Sequence, residues 1–576
     1  MRLSNRSLLT LGLALSLGFA AACSDDKDPV APEPPPVPGG LAASPLGPSM
    51  VRISWSSSPG ATGYVVERAP GASGGSFTQV GNPSETSLDD TGVTASNVYR
   101  YRVAATGVGG TSSFSGEAVV NTPEAGPKAA TIDADITSNR TLFADTVYQL
   151  SGFIKVANGA TLTIQPGTKI VGDYDIPGSS LFILRGSRID AQGTKEKPIV
   201  FTSERPFGQR QPGDWGGVII IGNGIINRGA PTYIEGTGTD AVKNPLQNYA
   251  GGTDNNDNSG IMRYVRIEFA GFPTAPNEEL NSLTMAAVGR GTTIEYVQIL
   301  LGLDDSYEWF GGAVDHKYLI SYESADDHFD ASEGYIGRVQ HFIAFQSIRP
   351  EPRPNLAGGA ATDPQGIEND GCWAENCNAG NDNRSASQPY TIPVFANFTI
   401  IGPPQGAWET TGGNIGMMLR RGVGGLYVNG VVGRYSRACV SIRGEPTKAR
   451  LDAGLMALNN IYFTQCPVIF QTGTGTGESA QFSLDLAANA LEAGTAQVQS
   501  LFAALPTDTR ESTAGSFDWT PAAGSPIATG GLNDFSGLPQ ALREAAGTFI
   551  TPTTYRGAAA PGGVKWWEGW THYARF

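Results

Sequence analysis

From about residue 130 onward, short apolar pieces alternate with Gly, Asn and Asp at a steady spacing. Leu162-Thr163-Ile164, Phe182-Ile183-Leu184 and Val218-Ile219-Ile220 begin the series. Val265-Arg266-Ile267, Val297-Gln298-Ile299, Tyr318-Leu319-Ile320 and Phe342-Ile343-Ala344 continue it, and Phe398-Thr399-Ile400, Tyr427-Val428 and Ile461-Tyr462-Phe463 follow. Such pieces at a period of roughly twenty residues, with no helical spacing between them, predict short strands stacked as coils of a β-solenoid over residues 130–576. A β-propeller is the runner-up, but its blades need about 40 residues each, twice the spacing here. Residues 349–392 break the pattern with Pro, Gly and Asn and predict a long loop protruding from one coil. Residues 482–505 have helical spacing and predict a helical segment over one flank or end. The aromatic run Trp566-Trp567-Glu568-Gly569-Trp570-Thr571-His572-Tyr573 is expected to cap the open end of the apolar column, with sugar stacking as its second role.

Upstream the periodicity is different. Val51-Arg52-Ile53-Ser54-Trp55 alternates as a half-buried strand, Gly63–Arg68 reads as the next, and Val98–Val103 carries a tyrosine, Tyr99, placed to close a sandwich corner. On these features residues 38–123 resemble a fibronectin type III domain, which implies a small β-sandwich spacer. In the larger region, Gly159-Ala160-Thr161-Leu162-Thr163-Ile164, Pro166-Gly167-Thr168, Gly213-Asp214-Trp215-Gly216-Gly217 and Pro521-Ala522-Ala523-Gly524-Ser525-Pro526 resemble the right-handed parallel β-helix family that includes pectate-lyase-like enzymes and bacterial surface proteins. The fold class is therefore all-β.

The N-terminus reads as an address. Arg2 and Arg6 precede an apolar run from Leu8 to Phe19, too short to span a bilayer, and then small residues. Ala20-Ala21-Ala22-Cys23 resembles a bacterial lipobox, with Ala20 where Leu is usual. The resemblance implies a signal peptide over 1–22 and lipidation of Cys23; an ordinary secretory peptide is the alternative. Residues 23–37 form a Pro-rich tether reaching about 45 Å at roughly 3 Å per residue. Ser24 after the cysteine implies the outer membrane, through the lipid, with the face undetermined.

Composition narrows the function. Gly (75) and Pro (38) suit turns rather than long helices. Net charge is −15, and becomes 37 − 54 = −17 without Arg2 and Arg6, so nucleic acid is not an expected partner. Of five cysteines, lipidation accounts for one. The others are expected to pair as Cys372–Cys377 and Cys439–Cys466, the latter about one coil apart; a zinc site is the alternative.

Two successive coils carry one acidic phrase: Leu303-Asp304-Asp305-Ser306-Tyr307-Glu308 is echoed by Ala325-Asp326-Asp327-His328-Phe329-Asp330, 22 residues on. In a parallel solenoid the paired positions sit about 4.8 Å apart, stacking Asp304 on Asp326, Asp305 on Asp327 and Glu308 on Asp330. Two carboxylates so placed repel by roughly 3 kcal/mol at an effective dielectric near 20. They must protonate, accept backbone N–H bonds, or share a cation, and hard oxygen ligands suit Ca²⁺. Asp254, Asp257 and Asn258 form a weaker oxygen cluster that more readily caps turns.

No phosphate loop, HExxH or nucleophile elbow is present, and no nucleotide or organic cofactor is expected. Lys317 and Arg338 are weak candidates for the base of a polysaccharide lyase, Lys317 also being placed to pair with Glu295. Tyr307, Trp309 and Tyr335 could stack on sugar rings or line the core, and the core is favoured. The expected function is a non-catalytic surface protein with a cation-stabilised binding face for glycan or another envelope protein. A polysaccharide lyase or glycoside hydrolase and a purely structural envelope component are the alternatives.

Overall fold

In the computed structural model, residues 32–574 are described apart from 124–128, 357, 362, 411 and 474. The signal peptide, Cys23 and most of the tether lie outside the described residues. The chain divides into two compact units between Ala125 and Gly126.

The first unit is a sandwich. A three-stranded antiparallel sheet (Ala42–Gly47, Met50–Ser54, Ser87–Asp90) faces a sheet built on Ala61–Pro70 and Val98–Gly107. Val51, Ile53, Trp55, Tyr64, Val66, Tyr101 and Val103 interdigitate as its core. The Tyr99 hydroxyl accepts the Thr94 backbone N–H at 3.0 Å, tying its strand to the chain five residues upstream.

The second unit is a parallel β-helix with two long sheets of 17 and 10 strands. Each coil supplies two short runs to the larger sheet and one to the smaller. In the middle coils the two runs fuse into single strands, Gly260–Glu268, Thr293–Leu300, Asp315–Tyr322, Arg338–Phe345 and Val394–Ile401. Each fused strand bends at one residue in left-handed conformation: Tyr264, Tyr296, Tyr318, His341 and Asn397. Asn429 and Asn460 hold the same corner farther on. This conformation is uncommon for residues other than Gly and is favoured by Asn; here stacking repeats it, with Tyr264, Tyr296 and Tyr318 rings 4.5 Å apart from one coil to the next.

The larger sheet is buried on both faces, so its strands read as nearly continuous apolar runs. Inward-facing Ile299, Leu319, Phe342, Ala344 and Ile400 build the main column. Their alternates Leu300, Ile320, Ile343, Phe345 and Ile401 lie under Phe517, Trp519, Trp566, Trp567, Trp570 and Tyr573. The aromatic tail is thus a strap across the flank and not an end cap, because the outward face is the larger apolar surface needing cover. It is fixed by reciprocal bonds between Gln298 and the His572 backbone and by the Tyr573 hydroxyl on Glu323 at 2.5 Å.

Two other expectations are corrected. Residues 482–505 are mainly irregular, with short strands at Glu492–Ala493 and Phe502–Ala504 and one helical turn at Val498–Leu501; Leu484, Leu486 and Leu491 still pack against the end of the main column. Helices form instead at Glu445–Asp452 and Gln540–Ala546. The break at 349–392 is not a single loop, since Gln365–Asp370 within it is a full strand of the smaller sheet. Disulfides join Cys372 to Cys377 and Cys439 to Cys466. No helix among the described residues is long and apolar enough to cross a membrane.

Candidate metal centre

The smaller sheet positions the acids. Reading across its strands, one outward-facing column runs Phe182, Ile219, Thr284, Glu308, Asp330, Glu368, Met418 and Ser441. The first two positions are covered by the apolar loop residues Ile226, Ile234, Tyr249 and Leu280. Then the column turns acidic for three successive coils. Its inward neighbours Tyr307, Trp309 and Phe329 are wholly buried and stack on one another. Trp309 also stacks on Tyr335. Tyr307, Trp309 and Tyr335 therefore belong to the core and are closed to a sugar ring.

At the strand entrance a second column forms. The Asp305 and Asp327 carbonyls accept from Ser282 and Ser306, so the Asp305 and Asp327 backbones stack with the 22-residue offset. Asp305 Oδ1 accepts the Asp327 N–H at 2.9 Å, and Asp327 Oδ1 accepts the Gln365 N–H. Asn281 closes the other side, its amide donating to Glu308 Oε2. The Asn281 side-chain amide thus bounds the acids on one side, and backbone N–H groups satisfy one oxygen of each central aspartate.

With Glu235, Glu279 and Asp363 from the covering loops, ten carboxylates line a groove of about 510 Å³: these three, Asp304, Asp305, Glu308, Asp326, Asp327, Asp330 and Glu368. One cation, Arg420, lines it with them, paired to Glu368 and to Asp370 at 3.0 Å. Asp305, Glu308, Asp327 and Glu368 are each 5–7% exposed. Asp330 Oδ1 is buried and has no hydrogen-bond partner among the described residues.

Burial first, and then neighbouring carboxylates, hold Asp304, Asp305, Glu308, Asp326, Asp327 and Asp330 well above the ordinary carboxylate range. Glu235 is pushed up to about 8 and Glu368 to about 7, burial again the larger cause. Two sets of oxygens lie within 4.8 Å of one another, Asp304/Asp305/Asp326 and Asp305/Asp327/Asp330. That spacing fits the shell of a cation with oxygens at 2.3–2.6 Å, and Asp305 is common to both sets.

The remaining candidates go elsewhere. Asp254, Asp257 and Asn258 accept the N–H groups of Asn256, Asn223 and Gly260, as turn caps do. Lys317 and Arg338 stand on the larger sheet beneath Phe549, Lys317 in register with Glu295 and Arg338 paired with Asp315. Neither reaches the acidic groove, because their strands form a different face of the coil. His316 is inside the core, accepting from Trp309 Nε1 at 2.9 Å, and burial drives it down to about 3.

Glu235, Glu279, Asn281, Asp363, Glu368 and Arg420 are the groove residues that the sequence pattern did not single out. Glu368 had a signal. Gln365-x-x-Glu368 repeats the spacing of Asp305-x-x-Glu308 and Asp327-x-x-Asp330, displaced because Asp330 to Glu368 is 38 residues, a coil of 22 plus an insert of 16.

The fold and site define a parallel β-helix whose outer face carries a carboxylate groove, in a chain that also bears a fibronectin type III-like sandwich. The chain belongs to the family described as a pectate-lyase-like β-helix domain, which matches residues 134–506. No curated protein matches it. Among solved structures, the sandwich is similar to a Fn3-like protein from Clostridium thermocellum, at 32% identity over 16% of this chain and 98% of that one, with a TM-score of 0.15. It is also similar to the fourth FNIII domain of a human protein, at 25% identity over 18% and 93%, TM-score 0.16. The structure of titin kinase and its flanking domains matches at 23% identity over 16% of this chain, TM-score 0.15; the chain spans 18% of its length.

Proposed function

We propose that the protein is a non-catalytic envelope lipoprotein whose β-helix presents a cation-loaded groove to a polyhydroxylated ligand such as a glycan. The observation that carries this reading is the gathering of ten carboxylates with one cation, around a buried Asp330 oxygen that no described residue bonds. Uncompensated, stacked carboxylates at about 4.8 Å repel by roughly 3 kcal/mol per pair, far more than a surface ornament would cost. Oxygen-only donors in this number favour Ca²⁺, and the shared Asp305 suits two adjacent ions. Carboxylates not engaged by the ions remain as acceptors for ligand hydroxyls.

Turnover is disfavoured by the same geometry. A lyase base must be unprotonated to take a proton from the substrate, whereas Asp370 and Glu368 outweigh burial to raise the pKa of the Arg420 guanidinium and keep it protonated. The lipobox-like Ala20–Cys23 supports a lipid anchor for this reading, and Ser24 after the cysteine favours the outer membrane.

Calorimetric titration of chelator-treated protein with calcium tests the reading. It predicts saturable binding that Asp305→Asn abolishes. Absence of calcium heat, or unchanged binding by that variant, overturns it, and release of unsaturated uronides from acidic polysaccharide would replace it with the lyase.

A further inference from the structure

Guanidinium groups in the β-helical unit pair with carboxylates, as in Arg228–Glu333, Arg338–Asp315 and Arg420–Asp370, or donate to backbone carbonyls, as Arg185 and Arg434 do. Arg205, Arg210 and Arg349 stand together. All three line one cavity of about 560 Å³, and none has a carboxylate partner among the described residues. The wall is completed by Pro212, Leu301 and Ile348, and the single acid on it is the exposed Glu351.

Two of the three are held in place. The Arg205 guanidinium lies 4.7 Å over the Tyr174 ring, and among the described residues its side chain makes one long bond of 3.4 Å to Gln211 Oε1. Arg210 donates through Nε to the Arg205 carbonyl at 2.9 Å, which fixes its stem and leaves its terminal nitrogens without an acceptor among the described residues. Arg349 is exposed at the mouth. The nearby Asp214 carboxylate makes no ion pair with them: it is buried and accepts from the Ser203 hydroxyl and the Gln211 N–H, and burial pushes its pKa upward against the opposing charges of Arg205 and Arg353.

Three guanidiniums and one carboxylate leave a charge of 3 − 1 = +2 on the walls of a small cavity, in a chain whose net charge is −15. Arginine forks match the oxygens of phosphate and sulfate in pairs. We propose that this cavity is a binding site for a dianionic oxyanion, inorganic phosphate or sulfate, or the phosphate of a monoester whose body rests on Leu301 and Ile348. The site is separate from the acidic groove and does not depend on how that groove is used.

Titration calorimetry on the full chain in chelator tests it, with inorganic phosphate, sulfate, glucose 6-phosphate and acetate as probes. The dianions are expected to bind and acetate to bind at least tenfold more weakly. The double variant Arg205→Gln/Arg349→Gln is expected to lose at least tenfold in phosphate affinity while its anion-free melting temperature stays level or rises, since like charges have been removed. Tighter binding of glucose 6-phosphate than of phosphate identifies the ester as ligand, and the reverse order identifies the free anion. No heat from any dianion, acetate binding as tightly as phosphate, or full affinity in a folded double variant overturns the proposal.

Discussion

Replacing Asp330 with Asn should stabilise the protein when calcium is absent and destabilise it when calcium is present. Asp330 lies between Glu308 and Glu368 in one column, at about 4.8 Å from each along the stacking direction. Full ionisation would give roughly 3 kcal/mol of repulsion on each side at an effective dielectric near 20. Partial protonation reduces this, since the raised pKa of each group means that some protons are retained near neutrality, leaving a gain on the order of 2 kcal/mol. An amide also brings donors for the flanking carboxylates, where Asp330 Oδ1 now bonds no described residue. Bound calcium reverses the order. At a hundredfold excess over Kd it adds about 2.7 kcal/mol to the wild type, and the variant, lacking a ligand, forfeits most of that. Urea unfolding at pH 8 should therefore show the variant's midpoint above wild type in chelator and below it in calcium, with equal slopes. A variant less stable in both conditions would mean that Asp330 is an ordinary structural carboxylate, and an undiminished calcium response would remove it from the site.

Several further outcomes are expected. Because the groove carboxylates have pKa values raised by folding, their favourable contribution is present below about pH 4 and lost as pH rises through about 7 (Glu368) and 8 (Glu235); metal-free protein should melt lower at pH 8.5 than at pH 5, and calcium should flatten that slope. Replacing Cys439 and Cys466 with Ser opens a loop of 27 residues and should cost about 3.5 kcal/mol in chemical denaturation; an unchanged midpoint would contradict a formed disulfide. Trp570→Ala removes a fully buried ring of the flank strap and should cost about 3–5 kcal/mol, whereas a cost under 1 kcal/mol would fit a loosely held tail. Cys23→Ala should abolish incorporation of labelled fatty acid, and continued labelling would remove the lipid anchor from the account.

What could be read from the chain depended on repetition. The 22-residue echo placed Glu308 opposite Asp330 because parallel coils convert a sequence offset into a spatial neighbour. Where an insert interrupted the period, the same reasoning missed Glu368: Gln365–Asp370 has no apolar alternation to mark it as a strand, yet its register is fixed by coils on both sides. Glu235 and Glu279 were beyond reach, since they enter the groove from covering loops, which follow no period. The helical spacing at 482–505 misled for a related reason. Its apolar residues Leu484, Leu486 and Leu491 face the column's end, and that tertiary demand outweighs local helix propensity. Lys317 and Arg338 are near the acids in sequence but on another face of the coil, a distinction that spacing alone does not encode.

The most direct test of the cation-bound ladder is anomalous diffraction from crystals soaked in manganese or a lanthanide as calcium surrogates. The account predicts a peak bounded by Asp305, Asp327 and Asp330, with a second beside Asp304 and Asp326 on the other side of Asp305. A well-ordered groove with no peak there, its carboxylates paired only with protons and water, would contradict it.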